Sequence, residues 1–239
     1  YSGHYYARNQ FMACMCPPGT KNNLNRGIYK SCNTYFSNVY RRIIDKDNKV
    51  EENINNWHKH LNSFGLGNYL GYDHPVGQPG YVPNANFYNL WYPNQRWRGS
   101  TIVSNAIGQG EILMTPIQLA NVAATIANRG FFYTPHFVKG IQGDFIDPKY
   151  KTKRATSISK EHFTNVIEGM ADVVSKGTAR VAAIRGIEVC GKTGTIENFT
   201  KIDGVRTQLT DHSVFIAFAP KDDPKIALAV IVENGYWGA

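Results

Sequence analysis

Seven consecutive apolar residues, Ile226 to Val232, form the longest apolar run in the chain. A bilayer crossing needs about 20 such residues, so this run suits a single strand, and its lack of alternation predicts burial on both faces. The turn-forming stretch Pro220-Lys-Asp-Asp-Pro224 precedes it, and Pro and Asp in that density mark a reversal of the chain. Before the turn, His212 to Phe218 reads as a second strand, and Ile187 to Gly194 as a third. A sheet assembled from the last third of the chain, with helices written before it, predicts an α+β fold: an antiparallel sheet flanked by helices. Hydrophobic residues make up 42% and charged residues 18%, a composition that folds and that excludes a disordered chain.

The helical part is read from its periodicity. Residues 1–28, rich in Tyr, Asn, Gly and Pro, are expected to be irregular. From Asn33 onward Tyr35, Phe36, Val39, Tyr40, Ile43 and Ile44 recur at helical spacing. A second amphipathic stretch carries Ile54, Trp57, Leu61 and Phe64 and closes at Gly65 as a C′ glycine. Residues 66–100 read as a long surface excursion. Thr115-Pro116 announces a helix start, hydroxyl at the N-cap and Pro at N1, with Ile117, Ala120, Val122, Ala123, Ile126 and Ala127 as its apolar face and Gly130 as its end. A further helix is expected from Ser159 as N-cap, with Phe163, Val166, Ile167, Met170 and Val174 inward and a stop before Gly177.

The net charge is +8. Lys and Arg are scattered, with no dense basic run and no nucleic-acid motif, so the expectation is work near an anionic polymer or membrane, with no nucleic acid as partner. Four cysteines are too few for a disulfide scaffold.

The chemistry gathers at two short motifs. Lys192-Thr193-Gly194-Thr195 follows the strand-like Ile187-Glu-Val-Cys190. A lysine on an edge strand fixes a carboxylate; Gly194 lets a substrate backbone lie close; Thr195 offers a hydroxyl and a backbone N–H suited to an oxyanion. A β-turn around Gly194 is the plainer alternative. Ser31-Cys32-Asn33 lies upstream, just before a helix, where an N-cap role for Ser31 is the plainer alternative.

Together these two motifs resemble the second and third of the set Ser-x-x-Lys, Ser-Asp-Asn and Lys-Thr-Gly found in penicillin-binding proteins and β-lactamases. The likeness extends along most of the chain. Phe64-Gly-Leu-Gly67 with Gly71-Tyr-Asp73, Ile107-Gly-Gln-Gly110 with Thr115-Pro-Ile-Gln-Leu119, Lys176-Gly-Thr-Ala179, and His212 to Pro220 with Ile226 to Gly235 all resemble segments of the class B penicillin-binding proteins. Within that class the chain looks most like the elongation-type, penicillin-binding protein 2 group.

The resemblance implies a penicillin-binding/β-lactamase-like transpeptidase fold, residues 1–239 being a partial domain that begins after the nucleophile motif and ends before the last helix. It implies D,D-transpeptidation through a serine acyl-enzyme. Ser31 would shuttle a proton, Asn33 would hold the substrate amide, and Lys192 would supply positive potential. Thr193, Gly194 and Thr195 would bind the terminal carboxylate and oxyanion. Implied partners are the peptidoglycan stem peptide, β-lactam antibiotics, a membrane-embedded glycosyltransferase and the elongation machinery, at the periplasmic face of the inner membrane through an anchor outside this sequence. No Ser-x-x-Lys precedes Ser31, so the nucleophile is expected upstream; Ser157-Ile-Ser-Lys160 is the sole formal match and reads as a decoy. The alternatives are a serine β-lactamase or β-lactam sensor, and a non-catalytic fragment that binds wall peptide.

No cofactor is required for that chemistry. Cys14, Cys16 and Cys32, with His4 or a residue before Tyr1 as a fourth donor, nonetheless form a candidate structural zinc site, since thiolates suit Zn²⁺ and four donors complete a tetrahedron; three reduced or partly paired cysteines are the plainer alternative. Some elongation-type relatives bind zinc beside the second motif through a Cys at its middle position, which Cys32 matches. Cys190 is expected to be a small buried hydrophobe.

Overall fold

A computed structural model describes the chain except residues 1, 8–9, 15, 17–18, 95, 141–145 and 237–239, and except the side chains of residues 2–7 and 10–12. Its elements in chain order are β1 (Ser2–Ala7), β2 (Gln10–Cys14), α1 (Leu24–Tyr29), α2 (Asn33–Ile44), α3 (Val50–Ser63), α4 (Ala85–Trp91), α5 (Pro116–Ala127), β3 (Phe131–Tyr133), β4 (Lys153–Ala155), α6 (Glu161–Ser175), β5 (Cys190–Ile196), β6 (Phe199–Ile202), β7 (Val205–Gln208), β8 (His212–Ala219) and β9 (Ile226–Val232).

The late sheet forms as read, antiparallel in the order β5-β8-β9. Its register pairs Lys192 with Ile216 and Gly194 with Val214. Helix α6 covers one end of β5, and Phe163, Ile167, Met170 and Val174 pack against Cys190, Ala217 and Phe218. Cys190 is fully buried there, and burial pushes its thiol up to about 12, as suits an inert core residue.

The expected double-sided burial of β9 is not found among the described residues. Ile226, Leu228, Val230 and Val232 are 65, 38, 48 and 50% exposed. Helix α5 lies against β9, and the alternate residues of the strand remain open. An unbroken apolar run reports that both faces avoid polar residues; it does not say that both are covered within one segment.

Three other expectations are corrected. Residues 1–28 are not irregular throughout: β1 and β2 pair antiparallel, and α1 starts from Asn23, whose side chain accepts from the Arg26 N–H. Residues 66–100 are not a mere surface excursion. They contain α4, and Tyr88 and Trp97 enter a core with Tyr40, Ile44 and Ile54 from α2 and α3. Aromatic residues among Pro and Asn read as loop, but their area buys a second core. Helix α6 starts one residue later than expected, with Lys160 at the N-cap and no side-chain cap, so Ser159 does not cap it.

Thr115 does cap α5, in a full capping box with Gln118. The inward face of α5 is more polar than its apolar periodicity implies. Gln118, Asn121 and Thr125 are buried, and Gln118 Nε2 shares its two N–H groups among the carbonyls of Gly65, Asn68 and Pro79 at 3.2, 3.0 and 2.8 Å. One amide thereby fastens the long connection to the helical layer. Gln118→Leu leaves those carbonyls without their donor and is expected to cost about 2–3 kcal/mol, a fall in Tm of roughly 4–12 °C in a thermal melt.

Candidate active site

Lys192 emerges from β5 on the same side of the strand as Cys190, since side chains two apart share a face. That side meets the segment joining α1 to α2. Lys192 Nζ donates to Ser31 Oγ at 2.9 Å, across 161 residues, and to the Thr193 carbonyl at 2.8 Å. Burial pushes the Lys192 ammonium down to about 8. The chain thus brings a desolvated cation onto a serine hydroxyl, an arrangement built for proton traffic or anion binding rather than for stability.

Ser31 is not the N-cap of α2. Cys32 holds that position without a side-chain cap, which frees the Ser31 hydroxyl for Lys192. Ser31 takes a left-handed backbone, φ 49°, a conformation that costs a non-glycine residue of order 1–3 kcal/mol. Its neighbours hold it: Ser31 N–H donates to the Ile28 carbonyl and Cys32 N–H to the Gly27 carbonyl. Asn33 Nδ2 donates to the Ala13 carbonyl at 3.0 Å, tying α2 to β2.

Thr193 and Thr195 lie on the same strand. Thr178 Oγ1 sits 2.9 Å from Thr193 Oγ1. The loop after α6 approaches so closely because of Gly177, where a Cβ would stand 2.5 Å from the Tyr29 carbonyl oxygen. Thr178 belongs to a segment the sequence marks, yet sequence reasoning assigns it no role; the glycine before it was the available signal. Gln109 is the other residue so missed. It lies between two glycines with φ near 75°, and its Nε2 donates to the Thr195 carbonyl at 3.1 Å. Gly194 differs from Gly177: a Cβ there would meet nothing nearer than Val214 Cβ at 3.6 Å, so packing within the chain does not require glycine.

Over residues 8–239 the chain matches the family described as the penicillin binding protein transpeptidase domain. The chain belongs to this transpeptidase family. It is 32% identical over 230 residues to peptidoglycan D,D-transpeptidase MrdA of Acinetobacter baumannii, covering 90% of this chain and 32% of that protein. The chain therefore spans about a third of the length of that curated relative. A crystal structure of Pseudomonas aeruginosa PBP2 in complex with WCK 5153 superposes with TM-score 0.73 at 30% identity, covering 91% of this chain and 44% of that one. A complex between PBP2 and MreC from Helicobacter pylori gives TM-score 0.72 at 29% identity, covering 95% and 39%. These relatives are elongation-type, in agreement with the resemblance read from the sequence.

The transpeptidase-family chain gathers three of its cysteines beside Ser31. The thiols of Cys14, Cys16 and Cys32 lie within 4.8 Å of one another, all buried. Cys14 Sγ is 3.6 Å from Cys32 Sγ and accepts from the Cys16 N–H at 3.4 Å. Burial pushes the Cys14 thiol up, but hydrogen bonds from Thr34 and Cys16 outweigh it and bring it to about 7. Burial and the neighbouring sulfurs push Cys16 up, and burial does the same for Cys32. His4 pairs with Met12 across the β1–β2 hairpin; its side chain lies outside the described residues.

The formal Ser-x-x-Lys match at Ser157–Lys160 is placed elsewhere. Ser157 Oγ lies 2.6 Å from His60 Nδ1 and 3.0 Å from Ser63 Oγ, on the exposed end of α3.

Thr178→Val keeps the shape of the side chain and removes its hydroxyl. It is expected to lower the second-order rate of acylation by penicillin about 5-fold, with Thr178→Ser restoring it; stopped-flow labelling of the full-length protein reads both.

Proposed function

We propose that residues 1–239 supply the second and third parts of a D,D-transpeptidase active site in a longer, serine-type enzyme. The observation that carries this reading is the 2.9 Å bond from Lys192 Nζ to Ser31 Oγ. A serine nucleophile, supplied from outside the motifs found here, attacks the penultimate D-Ala carbonyl. The serine gives its hydroxyl proton to a neighbouring base as its oxygen bonds to the carbonyl carbon, the C–N bond to the terminal D-Ala breaks, and the departing amine takes a proton. Ser31, bonded to Lys192, is placed to deliver that proton. An amine of a neighbouring stem peptide then attacks the ester, releasing the serine and forming the cross-link.

Thr193, Thr178 and Thr195 offer hydroxyls to the terminal carboxylate, and Lys192 offers charge. The Thr195 N–H contributes to the oxyanion site. Gly194 leaves clearance on a strand where its own chain does not demand it. Asn33 holds the substrate amide.

Three close, buried thiols, one of them near its titration point, suit a divalent zinc ion. Cys14, Cys16 and Cys32 would hold it, with His4 as a further donor. Its contribution would be structural, fastening β2 to the loop that carries Ser31 and Asn33.

The longer protein works at the periplasmic face of the inner membrane beside a glycosyltransferase and the elongation machinery. The MreC complex of the Helicobacter relative supports this placement. Among the described residues no helix is long and apolar enough to cross a membrane.

The test is labelling with fluorescent penicillin, on residues 1–239 and on a form extended upstream through a Ser-x-x-Lys. Labelling of the extended form alone is expected. A folded extended form that never labels would sink the enzyme reading, and rapid hydrolysis of a chromogenic cephalosporin would replace it with a β-lactamase.

A further inference from the structure

Beyond Thr195 the catalytic strand runs into a cleft of about 540 Å³, lined by Thr195, Gln208, Leu209, Thr210, Asp211 and Tyr236. It lies at the foot of the β6–β7 hairpin, which is held there by a compact set of hydrogen bonds. Asn198 N–H and Gln208 Nε2 both donate to Asp211 Oδ1, at 3.0 and 2.8 Å. Leu209 N–H donates to the Asn198 carbonyl, and Tyr236 N–H to the Asp211 carbonyl. Both donors, one backbone and one side-chain, land on the same carboxylate oxygen. Among the described residues Asp211 Oδ2 accepts no hydrogen bond, and Asp211 is the only carboxylate or cation in the lining.

The nearby cations do not neutralise it. Arg206 is paired with Glu197 at 3.1 Å. His212 Nδ1 accepts from the Asn234 N–H at 3.0 Å. A half-buried carboxylate with one spare oxygen in an open cleft favours a cationic guest.

The position of the cleft says which guest. One edge of β5 is taken by β8, so an extended peptide adds along the other, antiparallel. With its terminal carboxylate at Thr193 and Thr178, its earlier residues run toward Ile196 and the cleft. Two residues of extended chain span about 7 Å. The residue that precedes D-Ala-D-Ala therefore arrives at the mouth of the cleft. The same residue carries the amine that attacks as acceptor on the neighbouring strand, so every donor peptide bears one too.

We propose that this cleft takes the side-chain ammonium of the donor stem peptide's diamino residue, with Asp211 Oδ2 as its charge partner. The inference rests on the transpeptidase reading and names the substrate class of that site. Holding the donor's amine as an ammonium removes its lone pair, so it cannot act as acceptor in the site where its own backbone is acylated.

The test is competition against fluorescent penicillin on the full-length protein, by two stem pentapeptides alike except that one has its side-chain amine acetylated. The free-amine peptide is expected to compete about 5-fold better, and Asp211→Asn, which keeps an Oδ1 acceptor for the hairpin, to erase that preference. Leu209→Lys, which places a tethered ammonium in the cleft without touching Asp211, is expected to erase it as well and serves if Asp211→Asn misfolds. Equal competition by the two peptides on the natural protein, or a preference that survives both variants, overturns the proposal while leaving the transpeptidase reading intact. A natural protein that does not label at all overturns that reading, and the proposal with it.

Discussion

Replacing Lys192 with methionine is expected to lower the second-order rate of acylation by penicillin about 10²- to 10³-fold, the usual loss when one preorganised electrostatic group leaves an active site. Methionine keeps much of the length of the side chain and removes the cation that meets Ser31 at 2.9 Å and the Thr193 carbonyl at 2.8 Å. The pH profile separates this from a packing defect. In the free protein burial holds the Lys192 ammonium at about 8. The natural enzyme's kcat/KM should therefore hold below pH 8 and fall above it, as the cation neutralises. A bound carboxylate favours the charged form, so the matching limb of kcat moves to higher pH. The methionine variant should lose the limb.

The same residue makes a stability prediction of opposite sense. Its ordinary value is 10.5 and its folded value about 8, so between those two the unfolded chain binds more protons. The destabilising contribution of Lys192 is full below pH 8 and is relieved as pH rises toward 10.5. Lys192→Met should then melt higher than the natural protein at neutral pH while labelling far more slowly. A variant that melted lower and kept the alkaline limb would show that Lys192 has neither role.

If Cys14, Cys16 and Cys32 hold the proposed zinc, treating the full-length protein with a chelator is expected to lower Tm by roughly 5–11 °C. At a metal concentration of 100 Kd, binding adds about 2.7 kcal/mol, and a chain of this size shifts about 2–4 °C per kcal/mol. Acylation should then slow in parallel, because the proposed ion would fasten the loop in which Ser31 takes a φ of 49°. With that clamp released, the serine would relax toward ordinary backbone and away from Lys192. Cys14→Ser should melt low with or without chelator, and added zinc should no longer raise it. Should chelator and zinc both leave the natural protein unmoved, the cluster holds no metal, and non-reducing mass spectrometry would then ask whether Cys14 and Cys32, with sulfurs 3.6 Å apart, become a disulfide.

Much of this fold was legible because local chemistry and tertiary position agree. Thr115-Pro116 signalled a helix start and is one; Gly65 takes φ 83° just beyond α3, as a C′ glycine should. The late strands appeared within a few residues of their places. Where the reading failed, the deciding contact was distant. Tyr88 and Trp97 look like loop aromatics until α2 and α3 supply the core they fill. Gln118 looks like the capping half of a box, which it is, but nothing nearby in sequence shows the three carbonyls it serves. The plainer N-cap alternative for Ser31 fails for the same reason, since its partner lies 161 residues away. The motif order pointed to that pairing, whereas the meeting of Thr178 with Thr193 and of Gln109 with Thr195 had no comparable signal.

The bond from Gln109 to the Thr195 carbonyl has a thermodynamic consequence for any peptide that lies along β5. That one carbonyl is already satisfied before a guest arrives, so a peptide amide placed there exchanges one hydrogen bond for another and gains little at that point. Under the proposed function, net affinity would then come from the guest's other contacts, its terminal carboxylate and the amide that Asn33 holds. Such a site would weigh a peptide by its ends more than by this one rung of its backbone.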